Sequence, residues 1–202
     1  MKIKICGLFR EEDIDYVNEA EPDYAGFVFA KSSRQVDFGM ARKLSSRLKS
    51  KITPVGVFVN APVDDIIALY MDGVISIAQL HGGEDELYIE KIKMRGIPVI
   101  KTVCRAPNSL GWTALDVAVS TVADFILFDS GGGSGKRFDW SLLHLANLGR
   151  RPWFLAGGVN QDTIDEAVSL KPFCIDVSSG AESGGLKNRE KIKRLVERVR
   201  RV

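Results

Sequence analysis

Asp129 ends the apolar run Phe125 to Phe128 and opens a glycine-rich stretch, Gly131 to Lys136. A carboxyl group at the C-terminal end of a strand, beside a loop, can give a proton to a bound substrate or take one from it. Cys6 ends a second short apolar run, Ile3 to Cys6. An ionised thiol can act as a base. Together the two groups could move protons on opposite faces of one small substrate. That requires inverted protonation, with burial keeping the carboxylic acid neutral and a positive neighbour or N–H donors lowering the thiol pKa. Lys4 and Lys101 are candidate neighbours, and strand alternation leaves open which way each faces. Plainer readings stand beside these: Cys6 as a small core residue, Asp129 as a cap on the glycine turn.

Other residue types recur where strands should end. Gly157-Gly158 follows Trp153 to Ala156, and Ser178-Ser179-Gly180 follows Phe173 to Val177. Both are small and rich in backbone N–H donors, as a phosphate requires. Tight turns alone would explain either one, but in the last two strand–helix loops of a barrel they mark the common phosphate corner. Arg34, Gln79, His81 and Asp176 also fall at strand ends or just beyond them. His81 also has a plain reading as a structural hydrogen-bonding group.

These positions presuppose a repeating scaffold. Apolar strand-like runs cover 3–6, 24–29, 52–59, 75–81, 98–103, 125–130, 153–159 and 173–179. Helical patterns separate them, including EEDIDYVNEA, MARKLSSRLKS, residues 112–123, SLLHLANLG (141–149), residues 160–170 and a last helix from about Asn188. Short Val-, Ile- and Phe-rich strands alternating with helices predict a parallel sheet covered on both faces. Eight such units in 202 residues predict a single (β/α)8 barrel domain over 1–202. An open doubly wound sheet is the alternative, but its GxGxxG turn is missing after the first strand, where CGLFRE stands.

Bulk properties narrow the function. A net charge of +2, from 28 basic and 26 acidic residues, carries no nucleic-acid footprint. Cys6, Cys104 and Cys174 are far apart with no CxxC or CxxH spacing, which predicts neither a metal site nor a disulfide framework and suits a reducing cytoplasm. The N-terminal stretch lacks a signal-peptide core, and no apolar run reaches membrane-spanning length, so no membrane partner is expected.

The motifs KICG (4–7) with Glu12-Asp13, GFVF (26–29), SSR (32–34), GVFVN (56–60), QLHG (79–82), FDS (128–130), GSGKRFDW (133–140), LAGGV (155–159) and DVSSGAE (176–182) occur in this order. Together they resemble the phosphoribosylanthranilate isomerase family of tryptophan biosynthesis. The resemblance implies an Amadori rearrangement of N-(5′-phosphoribosyl)anthranilate to 1-(2-carboxyphenylamino)-1-deoxyribulose 5-phosphate. By similarity Asp129 is the general acid and Cys6 the general base. Arg34 would bind the anthranilate carboxylate, and Gly157, Gly158, Ser178, Ser179 and Gly180 the phosphate. Gln79, His81 and Asp176 would line the pocket, and Lys136 would belong to a lid. No cofactor or metal is implied, and the assembly expected is a monomer or homodimer. The nearest rival, a histidine-pathway isomerase of the same chemistry, resembles a pattern with an Asp base at the end of the first strand, where this chain has Cys6. A non-catalytic phosphate-binding barrel is the rival of another class, and the presence of both Cys6 and Asp129 argues against it.

Overall fold

The computed structural model describes residues 1–104, 120–130, 139–140, 143 and 151–202. Most of the helices expected over 112–123 and 141–149 lies outside them, as does Lys136.

Eight parallel strands close into a barrel: β1 (Lys2–Cys6), β2 (Tyr24–Val28), β3 (Thr53–Phe58), β4 (Ile77–Leu80), β5 (Val99–Cys104), β6 (Phe125–Asp129), β7 (Trp153–Leu155) and β8 (Cys174–Val177). Closure is made by β1 pairing with β8, with Ile3 opposite Ile175 and Lys4 opposite Asp176. That pairing rules out the open doubly wound sheet.

Strand alternation divides the core in two. Ile3 and Ile5 of β1 face outward into the main cluster, which includes helical residues such as Ile14, Val17, Leu195 and Val199. A second cluster takes one residue from each of β2 to β8: Tyr24, Val55, Ile77, Ile100, Leu127, Phe154 and Cys174. Interior side chains of a barrel stack in layers of this kind, so the lumen is packed rather than open. Cys174 is one of these packed interior residues, and burial pushes its thiol pKa well up.

The described helices are α1 (Glu11–Ala20), α2 (Phe38–Ser45), α3 (Val63–Met71), α4 (Glu86–Lys93), α5 (Ile164–Ser169) and α6 (Arg189–Arg200). Asp37, Asp85 and Asn188 cap α2, α4 and α6 by accepting from the backbone N–H three residues on. In α1 the capping carboxylate is Asp13, which reaches back to the N–H groups of Phe9 and Arg10 at 3.1 Å each. None of the described helices is long and apolar enough to cross a membrane.

Several elements are shorter than their sequence patterns, and two of them show the cause. β7 stops at Leu155 instead of running to 159, because Gly157 and Gly158 adopt φ of +76° and +81° and turn the chain out of the ladder. α5 begins at Ile164 because the Asn160 side chain accepts from the N–H groups of Asp162 and Thr163, holding 160–163 in a turn. One element was not expected at all: a hairpin of β9 (Glu182–Ser183) and β10 (Leu186–Lys187).

Candidate active site

The C-terminal strand ends surround a cavity of about 540 Å³. Cys6 reaches it from β1 and Asp129 from β6, and the two strands lie on opposite sides of the barrel. Arg34, Gln79, His81 and Asp176 line it too, as do Gly157, Gly158, Ser178 and Ser179. Gly180, expected among the phosphate-binding residues, does not line this cavity. It packs against the loop after β7, where an added Cβ would lie 2.0 Å from the Val159 carbonyl oxygen. It also lines a second hollow of about 320 Å³ with Gly158, Asn160, Ser179 and Lys191.

Lys4 and Cys6 are two residues apart on β1, so both project into the barrel. The Lys4 ammonium is wholly buried and sits 3.0 Å from each oxygen of Asp176. Burial alone would lower its pKa, but Asp176, and then Cys6, hold it above its ordinary value. Of the two lysines proposed as neighbours of the thiol, Lys4 is therefore the one in place. Lys101 points elsewhere: it donates to Glu84 Oε2 at 3.1 Å and to the carbonyls of Gly82 and Glu84, tying down the loop after β4.

The Cys6 thiol differs from the sequence reading. Burial pushes its pKa up, and the attraction of Lys4 offsets this only in part.

Asp129 accepts from the Ser130 hydroxyl at 3.3 Å, and His81 Nε2 stands 3.4 Å from its other oxygen. Gln79 Nε2 lies 3.3 Å from His81 Nδ1. If Gln79 donates there, the histidine proton sits on Nε2 and faces Asp129. The Gln79 carbonyl oxygen is buried with no hydrogen-bond partner, an acceptor that a hydroxyl in the cavity could satisfy.

Arg34 does not stand alone in the loop after β2. Its Nε and Nη2 donate to the two oxygens of Glu182 at 2.7 and 2.8 Å. Glu182 in turn is paired with Lys187. Neither Glu182 nor Lys187 was singled out by sequence. Gly184-Gly185, both at positive φ between two short strands, is the turn signal that marks their hairpin. Among the described residues, no group of three or more His, Cys, Asp or Glu side chains converges as a metal ion would require.

The family model for N-(5′-phosphoribosyl)anthranilate (PRA) isomerase matches residues 3–198. The chain belongs to the PRA isomerase family. A family member from Endomicrobium trichonymphae is 50% identical over 206 residues, covering 98% of both chains. The crystal structure of monomeric forms of the dimeric PRA isomerase from Thermotoga maritima superposes with a TM-score of 0.88, at 33% identity over the whole of both chains. A PRA isomerase in complex with reduced 1-(o-carboxyphenylamino)-1-deoxyribulose 5-phosphate has a TM-score of 0.85 at 32% identity, again over the whole of both. As a PRA isomerase family member the chain is an aldose–ketose isomerase of tryptophan biosynthesis, built on the (β/α)8 barrel.

Proposed function

We propose that this chain converts N-(5′-phosphoribosyl)anthranilate to 1-(2-carboxyphenylamino)-1-deoxyribulose 5-phosphate, with Asp129 as general acid and Cys6 as general base. The observation that carries the reading is that these two groups enter one cavity from β1 and β6, while Gly157, Gly158, Ser178 and Ser179 line the same cavity. A substrate with a phosphate at one end and an aromatic carboxylate at the other can then lie between proton donor and acceptor.

Asp129 donates its proton to the ribose ring oxygen. The bond from that oxygen to C1′ breaks, and the anthranilate nitrogen lone pair forms a C=N bond, leaving a Schiff-base cation. Cys6 removes the proton on C2′, and the C–H electrons become the C1′–C2′ double bond of an enolamine. The C2′ hydroxyl then loses its proton as C1′ gains one, giving the ketone. Atoms balance without any external reductant or oxidant. To act as base Cys6 must be in its thiolate form, so its own proton leaves to solvent before the C2′ proton is taken, and the nearby Lys4 ammonium favours that ionised form. Each well-placed acid or base contributes roughly 10²–10⁴-fold.

The supporting roles follow the geometry. The backbone N–H groups around Gly157, Gly158, Ser178 and Ser179 hold the phosphate, and Arg34 holds the anthranilate carboxylate through a guanidinium fork. Gln79 offers its unpartnered carbonyl oxygen to a ribose hydroxyl, His81 orients Asp129, and Asp176 fixes Lys4 beneath the thiol. One barrel domain in the cytoplasm, acting as monomer or homodimer, completes the reading. The test is a turnover assay: phosphoribosylanthranilate is generated in situ and the loss of its fluorescence is followed. Rapid loss is expected, and no loss with folded protein would refute the assignment.

A further inference from the structure

Arg34 presents a difficulty for its assigned role. A guanidinium that already holds a carboxylate in two hydrogen bonds, at 2.7 and 2.8 Å, makes a neutral pair. A neutral pair has little attraction for a second carboxylate. Lys187 resolves the difficulty. Its side chain is fully buried, and its ammonium contacts Glu182 and donates to the Ser178 carbonyl at 3.1 Å. Two cations and one anion leave this cluster one net positive charge, at the edge of the cavity that Arg34 lines.

The hydrogen-bond count agrees. Glu182 occupies the Nε–H and one Nη2–H of Arg34. A guanidinium has five N–H donors, so three are left, two of them side by side on the Nη1/Nη2 edge, the arrangement for a second fork on a planar carboxylate. The position of Arg34 is set from the other side too. Gly7 has φ +81°, and a Cβ there would lie 2.5 Å from Arg34 Cδ, so the arginine stem runs across a bare backbone.

We infer that Glu182 and Lys187, paired across the 182–187 hairpin, are positioning residues that hold Arg34 in its carboxylate-binding geometry while keeping its site cationic. This rests on the proposed substrate and adds two residues to its recognition. Glu182 aims the free edge of the guanidinium, and Lys187 cancels the charge that Glu182 brings. Because Lys187 also holds the Ser178 carbonyl, the same hairpin ties the carboxylate end of the cavity to the phosphate end. Further contacts steady it: Lys191 donates to the Glu182 carbonyl at 2.6 Å, and Arg10 to that of Lys187 at 3.3 Å.

The test is a double-mutant cycle of Arg34→Ala and Glu182→Gln, reading kcat and KM, the Kd of the reduced carboxyphenylaminodeoxyribulose phosphate, and thermal unfolding. Glu182→Gln should raise KM and Kd roughly tenfold, the size of one lost charge-assisted contact, with kcat changed less than about threefold. In the Arg34→Ala background it should add less than about twofold, because a residue acting through Arg34 has nothing left to act on. Lys187→Met should raise KM similarly, and Lys187→Arg should restore most of it. Should Glu182→Gln not fold, the Lys187 pair carries the same cycle. Additive losses in the double variant, or equal falls in kcat for every variant, would overturn the inference while wild-type turnover upholds the isomerase. A wild type that neither turns over the substrate nor binds the analogue would remove both.

Discussion

Gly26 leaves room for the Cys6 thiol: a Cβ at Gly26 would lie 2.7 Å from Cys6 Sγ and 3.0 Å from its Cα. The two residues face each other across the β1–β2 ladder. A glycine inside a strand ordinarily weakens it, and here it gives the proposed base space on the neighbouring strand.

Gly26→Ala should therefore push the thiol out of line with the substrate. A misplacement of about 1 Å costs roughly 10²-fold in rate. We expect kcat to fall by about that factor, with KM changed little, in the fluorescence assay. Unchanged kcat would mean the barrel absorbs the methyl without moving the thiol.

Cys6→Ser and Asp129→Asn should each lower kcat by at least roughly 10²-fold with modest change in KM, because each removes a proton transfer made only in the transition state. Near-normal turnover in either variant would take that residue out of the acid–base role.

Lys4→Met should destabilise the fold by about 3–5 kcal/mol, because it leaves Asp176 charged and alone in the barrel interior. Lys4→Met combined with Asp176→Leu should recover most of that loss in denaturant unfolding. Lys4 is also the foremost influence lowering the Cys6 pKa. Because Asp176 pushes the same thiol up, the comparison is with Asp176→Leu alone: alkylation of Cys6 by iodoacetamide near neutral pH, followed by peptide mass, should be slower in the double variant than in that single one. An equal rate in the two would show that the ammonium does not tune the thiol.

The acid side of the stability profile should report Glu182. Burial opposes its ionisation, but hydrogen bonds from Arg34 and Lys187 win and hold the carboxyl below its ordinary 4.5. A depressed folded-state pKa adds stability that is complete above 4.5 and is lost as pH falls through the lower folded value. Wild type should lose stability over that window faster than Glu182→Gln, whose side chain does not titrate. Parallel profiles from pH 6 to 3 would show that the carboxylate gains nothing from its partners.

Much of this was legible in the chain itself. Strand and helix alternate with periods that neighbouring residues dictate, and so the eight-stranded barrel could be read. Cys6, Asp129 and the two glycine- and serine-rich loops could be placed as well, because a barrel puts its strand ends on one face. Side-chain direction was less accessible. Lys4 and Lys101 looked alike in sequence, yet Lys4 lies beneath the thiol and Lys101 clamps Glu84. Glu182 stood inside a recognised motif, but its partner Arg34 is 148 residues away.

The sequence by itself determined the element order, the family and the identity of the proposed acid and base, since all three rest on local pattern and residue type. Only the tertiary structure decided which charges meet. It set the Cys6 thiol against Lys4, gave Glu182 to both Arg34 and Lys187, and turned Gln79 inward with an unsatisfied oxygen. Ion pairing and desolvation depend on distance and burial in space, and barrel closure brings together residues whose separation along the chain carries no trace of that contact.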